Sequence, residues 1–295
     1  MLPYMPFVNE YWPFIVTGII CYLGARFLYH SAVSWNPEKY KNRKNYRTPD
    51  EVAEIDADEF EDDVGQLDMS SALPWDLEHV SLDFNRLPVD ETIRRSQEFY
   101  TFMNQRRTVR FFSRDPVPAD VIRNIIRAAG TAPSGAHTEP WTYVVVSDPE
   151  VKRQVRDIVE KEEEINYTKR MGPQWTTDLK PLRTNWIKEY LTDAPYLILV
   201  FKQLYSFKED GTKRIHYYSE MSISLACGIL LAAVHYAGLV SLTSTPLNCG
   251  PALRSLLGRP TSEKLILLLP VGYPSPDATV PDLKRKPLEE ILVEI

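Results

Sequence analysis

No HExxH, GxGxxG or GxxxxGK[ST] motif occurs in the 295 residues, and no CxxC either. A zincin, a fingerprint-bearing dinucleotide dehydrogenase and a P-loop nucleotidase are thereby disfavoured. The five histidines (His30, His79, His137, His216, His235) never fall at metal-ligand spacing. Cysteine is scarce: Cys21, Cys227 and Cys249 are odd in number and far apart, so they make no disulfide framework and favour a reducing compartment. A basic excess is missing as well. Lys and Arg total 34 against 40 Asp and Glu, a formal net charge of -6 with pI about 5.5, which speaks against nucleic acid as a partner. What remains is ordinary globular composition, 44% hydrophobic and 25% charged, enough for one sizeable core or two small ones.

The first thirty residues stand apart. YWPFIVTGIICYLGA (11–25) carries no charge. As a helix it spans about 22 Å, short of the ~30 Å hydrocarbon core. Snorkelling of Arg26 adds Phe27, Leu28 and Tyr29, with Tyr11 and Trp12 as an interfacial belt. Residues 1–29 are therefore expected to form a single membrane anchor. Residues 1–9 contain no Lys or Arg, which argues against a cleaved signal peptide. The basic flank KYKNRKNYR (39–47) orients the rest of the chain towards the cytosol, where the sequon Asn166-Tyr167-Thr168 stays unmodified. Residues 30–88 read as a linker, solvated through the acidic run DEVAEIDADEFEDD (50–63); Trp75 and Leu77 mark where the chain begins to dock.

Residues 89–295 are expected to be the catalytic domain. ETIRRSQEFYTFMNQ reads as an amphipathic helix, and VPADVIRNIIRAAG as a second with Gly130 as its C-cap. TYVVV is a buried strand. Asp148 and Pro149 start a helix that should run through KEEEINYTKRMG. PYLILVF (195–201), LVSLTST (239–245) and KLILLLPVG (264–272) are further strands. IHYYSEMSISLACGILLAAVHYAG (215–238) is apolar on nearly every face between Met221 and Ala237, which predicts a helix buried all round rather than a second membrane span. Strands and helices alternate, so the class is α/β or α+β with one central sheet.

Three pieces line up: RRTVR (106–110) after the first helix, APSGAHTEPW (132–141) before the first strand, and KRKPL (284–288) near the C-terminus. Together they resemble the FMN-dependent nitroreductase-like superfamily. EEEINYTKRMG (162–172), LRTNWIKEY (182–190) and TSTPLNCGP (243–251), with the anchor, are similar to the members that dehalogenate halotyrosines. The resemblance implies an α+β nitroreductase-like fold, a mainly antiparallel sheet flanked by helices in a domain-swapped homodimer, with each FMN between two subunits. It implies reductive dehalogenation of mono- and diiodotyrosine to tyrosine and halide, driven by an NADPH-dependent reductase partner. A general nitro- or quinone reductase of the same fold, and a non-catalytic flavin- or iodotyrosine-binding sensor, stay open as alternatives.

Residue types fit these roles. Phosphate needs charge-assisted, bidentate donors, and arginine supplies them. By resemblance Arg106, Arg107, Thr108, Val109 and Arg110 contact FMN, with Arg285 arriving from the far end of the chain, Ser134 from the small-residue loop, and Thr243, Ser244 and Thr245 from a strand end. The small residues Ala132, Ser134, Gly135 and Ala136 are expected to clear the face of the flavin. The Thr245 hydroxyl would hydrogen-bond flavin N5 and favour one-electron steps. Glu163 and Tyr167, four apart on one helix face, and Lys188 on the next predicted helix, would close on the substrate's ammonium and carboxylate. The Ala136 amide would meet its phenolate. Closure of this lid, about 160–190, would exclude water.

Overall fold

A computed structural model of the chain describes residues 71, 73–208, 211 and 213–295. The predicted anchor, Cys21, His30 and most of the predicted linker lie outside the described residues.

Helix α1 spans Val89–Asn104 and α2 Ala119–Ala129, where Ile122, Ile125 and Ala129 share the buried stripe. Gly130 caps α2 as predicted, but with φ -67°, so the cap does not use glycine's left-handed freedom. A 3₁₀ turn at Gly135–His137 leads into β1, Trp141–Val146. Helix α3, Pro149–Ile165, begins as the sequence predicts: Asp148 accepts from the Glu150 and Val151 amides at 2.9 Å, and Pro149 occupies the first turn, where its missing N–H costs nothing. The predicted continuation to residue 172 is not regular helix. One π turn, Asn166–Arg170, replaces it. Asn166 is the reason: it is buried, its amide donates to Glu163 Oε1 at 3.1 Å and its carbonyl oxygen accepts from Arg170, which widens the turn.

Helix α4 (Pro173–Leu179), a 3₁₀ turn (Lys180–Leu182) and α5 (Tyr190–Asp193) follow. Next come β2 (Tyr196–Gln203), the hairpin strands β3 (Tyr205–Phe207) and β4 (Lys213–Ile215), α6 (Ser219–Tyr236), β5 (Val240–Ser241), α7 (Gly250–Leu256) and β6 (Glu263–Gly272). The main sheet is ordered β1-β2-β6-β5, and every neighbour is antiparallel. This is the expected α+β architecture.

The third predicted strand shrinks to two residues. Ser241 pairs with Val271 and Ser244 bridges Leu268, so the same register sets Leu242 opposite Pro270. Proline has no N–H to give, and the ladder breaks there.

Alternation along β2 builds two cores. Leu197, Leu199 and Phe201 face α3, α5 and α7, joining Val155, Val159, Leu191 and Leu253. Ile198 and Val200 face α2 and α6, joining Ile122, Ile125, Ile223, Leu230 and Val234. Helix α6 is not buried all round. Its inner face enters the second core, while Met221, Leu225 and Tyr236 stay exposed. Among the described residues it is the helix long and apolar enough to cross a membrane, yet its inner stripe is core. Helix α1 buries no residue at all, leaving Ile93, Phe99 and Tyr100 open. Both helices thus carry apolar faces that the described residues leave uncovered.

Candidate active site

The RRTVR segment runs along the free edge of β5. The Val109 amide donates to Ser241 O at 3.2 Å, and Thr108 bridges Ser241 in parallel. The C-terminal arm returns beside it: Ser113 N donates to Tyr273 O at 2.9 Å and Ser275 N to Phe111 O at 3.1 Å. Arg107 donates to the Pro281 carbonyl. Arg285 donates to both Asn104 oxygens at 3.0 Å and to Arg106 O at 2.9 Å. The predicted arginines from the two ends of the domain are therefore together. Burial pulls the Arg106 pKa down, and the Arg285 and Arg107 charges add to it. Among the described ion pairs, Arg106, Arg107, Arg110 and Arg285 take no carboxylate. Crowded guanidinia with no anion of their own suit a multiply charged phosphate.

Thr243, Ser244 and Thr245 leave β5 next to this edge, with Ser244 and Leu268 exchanging backbone hydrogen bonds at 3.1 and 2.9 Å. Tyr190 is buried beside Ser244, and burial raises its phenol pKa; Glu163 adds to the rise, while Arg110 and a hydrogen bond with Ser244 oppose it.

The predicted substrate clamp also comes together. Lys188 Nζ lies 3.4 Å from Glu163 Oε2, with side chains 7% and 12% exposed, and 5.3 Å from the centre of the Tyr167 ring. Lys188 is not on a helix, as the sequence suggested. It sits in the irregular stretch between Arg183, whose φ of 50° ends the 3₁₀ turn, and α5. Trp175 and Trp186 meet the Tyr167 ring edge-on at 4.8 and 6.1 Å. Burial lowers the Lys188 pKa against the pull of Glu163, and raises that of Tyr167. The Arg110 charge opposes both the Tyr167 rise and the Lys188 charge. A cleft of about 850 Å³ is lined by Arg110, Phe111, Thr184, Asn185, Tyr190 and Val280 among others, and Glu163, Tyr167 and Lys188 are not part of its lining.

The small-residue loop behaves differently. Ser134 Oγ accepts from the Glu139 amide at 3.0 Å, Arg214 donates to His137 O at 3.2 Å, and Ala136, His137 and Glu139 all hold positive φ. A Cβ on Gly135 would come within 2.8 Å of Tyr217 O. At Gly135 the backbone of Tyr217 by itself already demands a missing side chain. Among its described contacts, Ser134 and Ala136 do not join the arginine group of their own chain. His216, just beyond, is buried with neither ring nitrogen partnered among the described residues. Burial and Arg214 hold its pKa down at about 4. A pKa below the unfolded ~6.5 means that the contribution of His216 to stability is complete above pH ~6.5 and is lost as pH falls towards 4, up to about 3 kcal/mol. Thermal melts across pH 4–7 should show this loss, and His216→Leu should remove most of the slope.

Sequence reasoning missed Tyr190, Trp175, Trp186 and Glu160, the last accepting the Lys188 amide at 2.6 Å. The aromatic, charged string NWIKEY carried the only local signal for Trp186 and Tyr190.

A two-core antiparallel α+β layer with an arginine-lined edge is the arrangement of a nitroreductase, and the chain matches the model of the Nitroreductase family over residues 103–273. Iodotyrosine deiodinase 1 of Homo sapiens is 61% identical over 243 residues, covering 82% of this chain and 81% of that protein. Iodotyrosine deiodinase of Danio rerio is 64% identical over 217 residues, 74% of each chain. A crystal structure of oxidized iodotyrosine deiodinase bound to FMN and 3-iodo-L-tyrosine superimposes with a TM-score of 0.57 at 31% identity, covering 64% of this chain and 95% of that one. The chain belongs to the iodotyrosine deiodinases of the nitroreductase family.

Proposed function

We infer that this protein is an FMN-dependent oxidoreductase that converts mono- and diiodotyrosine to tyrosine and iodide. The observation that carries the reading is the buried Glu163–Lys188 pair closed over Tyr167, in a chain whose crowded arginine edge takes no carboxylate among the described ion pairs. FMN, when bound, supplies the two electrons that leave with iodide as a proton replaces the halogen on the ring. The cradle for it is Arg106, Arg107, Thr108, Val109, Arg110, Thr243, Ser244, Thr245 and Arg285, with Ser134.

The rest is the work of side chains on this chain. Glu163 takes the substrate ammonium and Lys188 its carboxylate, each exchanging its present partner for one of opposite sign on the ligand. Because the two charges already neutralise each other, they stay buried at tolerable cost until substrate enters. Tyr167, steadied by Trp175 and Trp186, walls off the ring. The Ala136 amide is the donor for the phenolate. Thr245 is the hydroxyl donor at the cofactor. Thr245→Ala is expected to cut deiodination at least about tenfold more than any nitroarene reduction, as loss of a donor in a dry site does; equal losses in the two assays would remove this role.

The uncovered faces of α1 and α6 support a homodimer. A second copy would bring its Ser134 and Ala136 to the arginine edge of the first. Residues 1–29 would anchor the protein in a membrane, with the catalytic domain, 89–295, cytosolic and recharged by an NADPH-dependent reductase. The test is direct. Purified yellow protein is reduced with dithionite under anaerobic conditions, diiodotyrosine is added, and iodide and flavin reoxidation are followed. Iodide released with reoxidation supports the reading, and binding without iodide overturns it.

A further inference from the structure

We propose that Glu160 is the positioning residue of the clamp: its carboxylate latches the irregular segment carrying Lys188 onto α3. Residues 183–189 form no helix or strand. The Lys188 carbonyl accepts the Leu191 amide at 3.0 Å, from the first turn of α5, and its amide is held by one carboxylate oxygen. Glu160 Oε1 accepts the Lys188 amide at 2.6 Å and the Arg156 guanidinium Nε at 2.7 Å. Arg156 extends the brace by donating to Thr192 Oγ1 at 3.0 Å, on α5 at the far end of the same segment. Thr192 in turn donates to Glu189 O at 2.9 Å.

The register explains the choice of residue. Glu160 and Glu163 are three apart on α3, so one helix face offers two carboxylates to one lysine, at different atoms. Glu163 meets the ammonium, at 3.4 Å, and Glu160 holds the main chain, at 2.6 Å. A hydrogen bond from a backbone amide to a charged acceptor is directional, while a buried ammonium on four methylenes is not. The latch therefore sets where the ammonium can reach, and Glu163 together with the Asn185 carbonyl, which accepts from Lys188 Nζ, sets what it meets before substrate arrives. Glu162 and Glu164 lack this role: Glu162 pairs with Arg170 and Glu164 gives only its carbonyl to Thr168.

The inference rests on the clamp reading, and its test separates the two. The experiment measures binding of 3-iodotyrosine to the oxidised, FMN-loaded protein by flavin fluorescence, for wild type, Glu160→Ala, Glu160→Gln, Lys188→Met and the Glu160→Ala/Lys188→Met pair. Tryptic cleavage after Arg183 in the presence of ligand is followed in parallel. Glu160→Ala should weaken substrate binding about tenfold, as loss of a hydrogen bond to a charged group does, with FMN affinity unchanged and cleavage after Arg183 accelerated. Glu160→Gln keeps an oxygen for the Lys188 amide and should recover most of the affinity. In the Lys188→Met background, Glu160→Ala should add less than about twofold, because the two residues act as one unit. Wild-type binding by Glu160→Ala beside a weakened Lys188→Met overturns the latch alone, as does a full additive loss in the pair or unchanged cleavage. Normal binding by Lys188→Met overturns the clamp, and the latch with it.

Discussion

Lys188→Met is expected to weaken 3-iodotyrosine binding by about a hundredfold or more while leaving FMN content unchanged, since truncating one side of a desolvated charge contact costs 2–5 kcal/mol. The same substitution should lower the melting temperature of the ligand-free protein. Glu163 and Lys188 are both almost wholly buried and lie against each other. Removing one leaves the other as an uncompensated charge, a loss of about 3–5 kcal/mol. Glu163→Gln should behave likewise. The double variant Glu163→Gln/Lys188→Met separates the two effects: it should regain most of the lost stability, because no lone charge remains buried, and still bind no iodotyrosine. Calorimetric titration and thermal melts check the set. A double variant that recovers binding together with stability would show the pair to be structural only.

Arg285→Ala should yield colourless protein, with FMN affinity down by at least about a hundredfold, because each hydrogen bond to a charged group contributes about 1.5–3 kcal/mol. Two losses combine there. The three hydrogen bonds of Arg285 to Asn104 and Arg106 pin the arm beyond Pro274 to the end of α1. Burial lowers the Arg106 pKa and the Arg285 charge adds to it, an unfavourable setting that a bound anion would offset. Riboflavin has no phosphate, so its weaker binding should change much less than that of FMN. Arg285→Lys keeps the charge but not the planar fork, and should fall between. Fluorescence titration with the two flavins gives the comparison. Protein that emerges yellow from the Arg285→Ala variant would remove the arginine edge from the cofactor site.

Local signals in the chain were legible where physics is local. Asp148-Pro149 announced the start of α3, and the apolar runs around Leu199 and Leu268 announced the two central strands. What the sequence concealed depends on distant partners. Pro270, nearly thirty residues away, cuts β5 short by offering Leu242 no N–H. The π turn follows from a buried Asn166 whose partners lie on both sides of it. Helix α6 reads as apolar all round because two environments claim it, a core within the chain and a face that the described residues leave open.

The site divides in the same way. Residue types named RRTVR, Arg285, Glu163, Tyr167 and Lys188, and the fold gathers the arginines at one edge and Glu163, Tyr167 and Lys188 in one cluster. The roles of Tyr190 and Glu160 were not legible, since a tyrosine or glutamate in a charged helical stretch looks like solvated surface until its partner is known. Ser134 and Ala136 were legible as a loop, but the positive φ of Ala136, His137 and Glu139 that shapes it was not, since it depends on contacts made beyond the loop.

The account stands or falls on a zwitterion being gripped above the cofactor. The most direct measurement is iodide release from the reduced protein given 3-iodotyrosine or 2-iodophenol at equal concentration. The two share the carbon–iodine bond and the phenol, and differ in the ammonium and carboxylate that Glu163 and Lys188 would hold. Release from iodotyrosine at least about a thousandfold faster, the weight of two desolvated charge contacts, is the predicted result. Comparable release from both would contradict it.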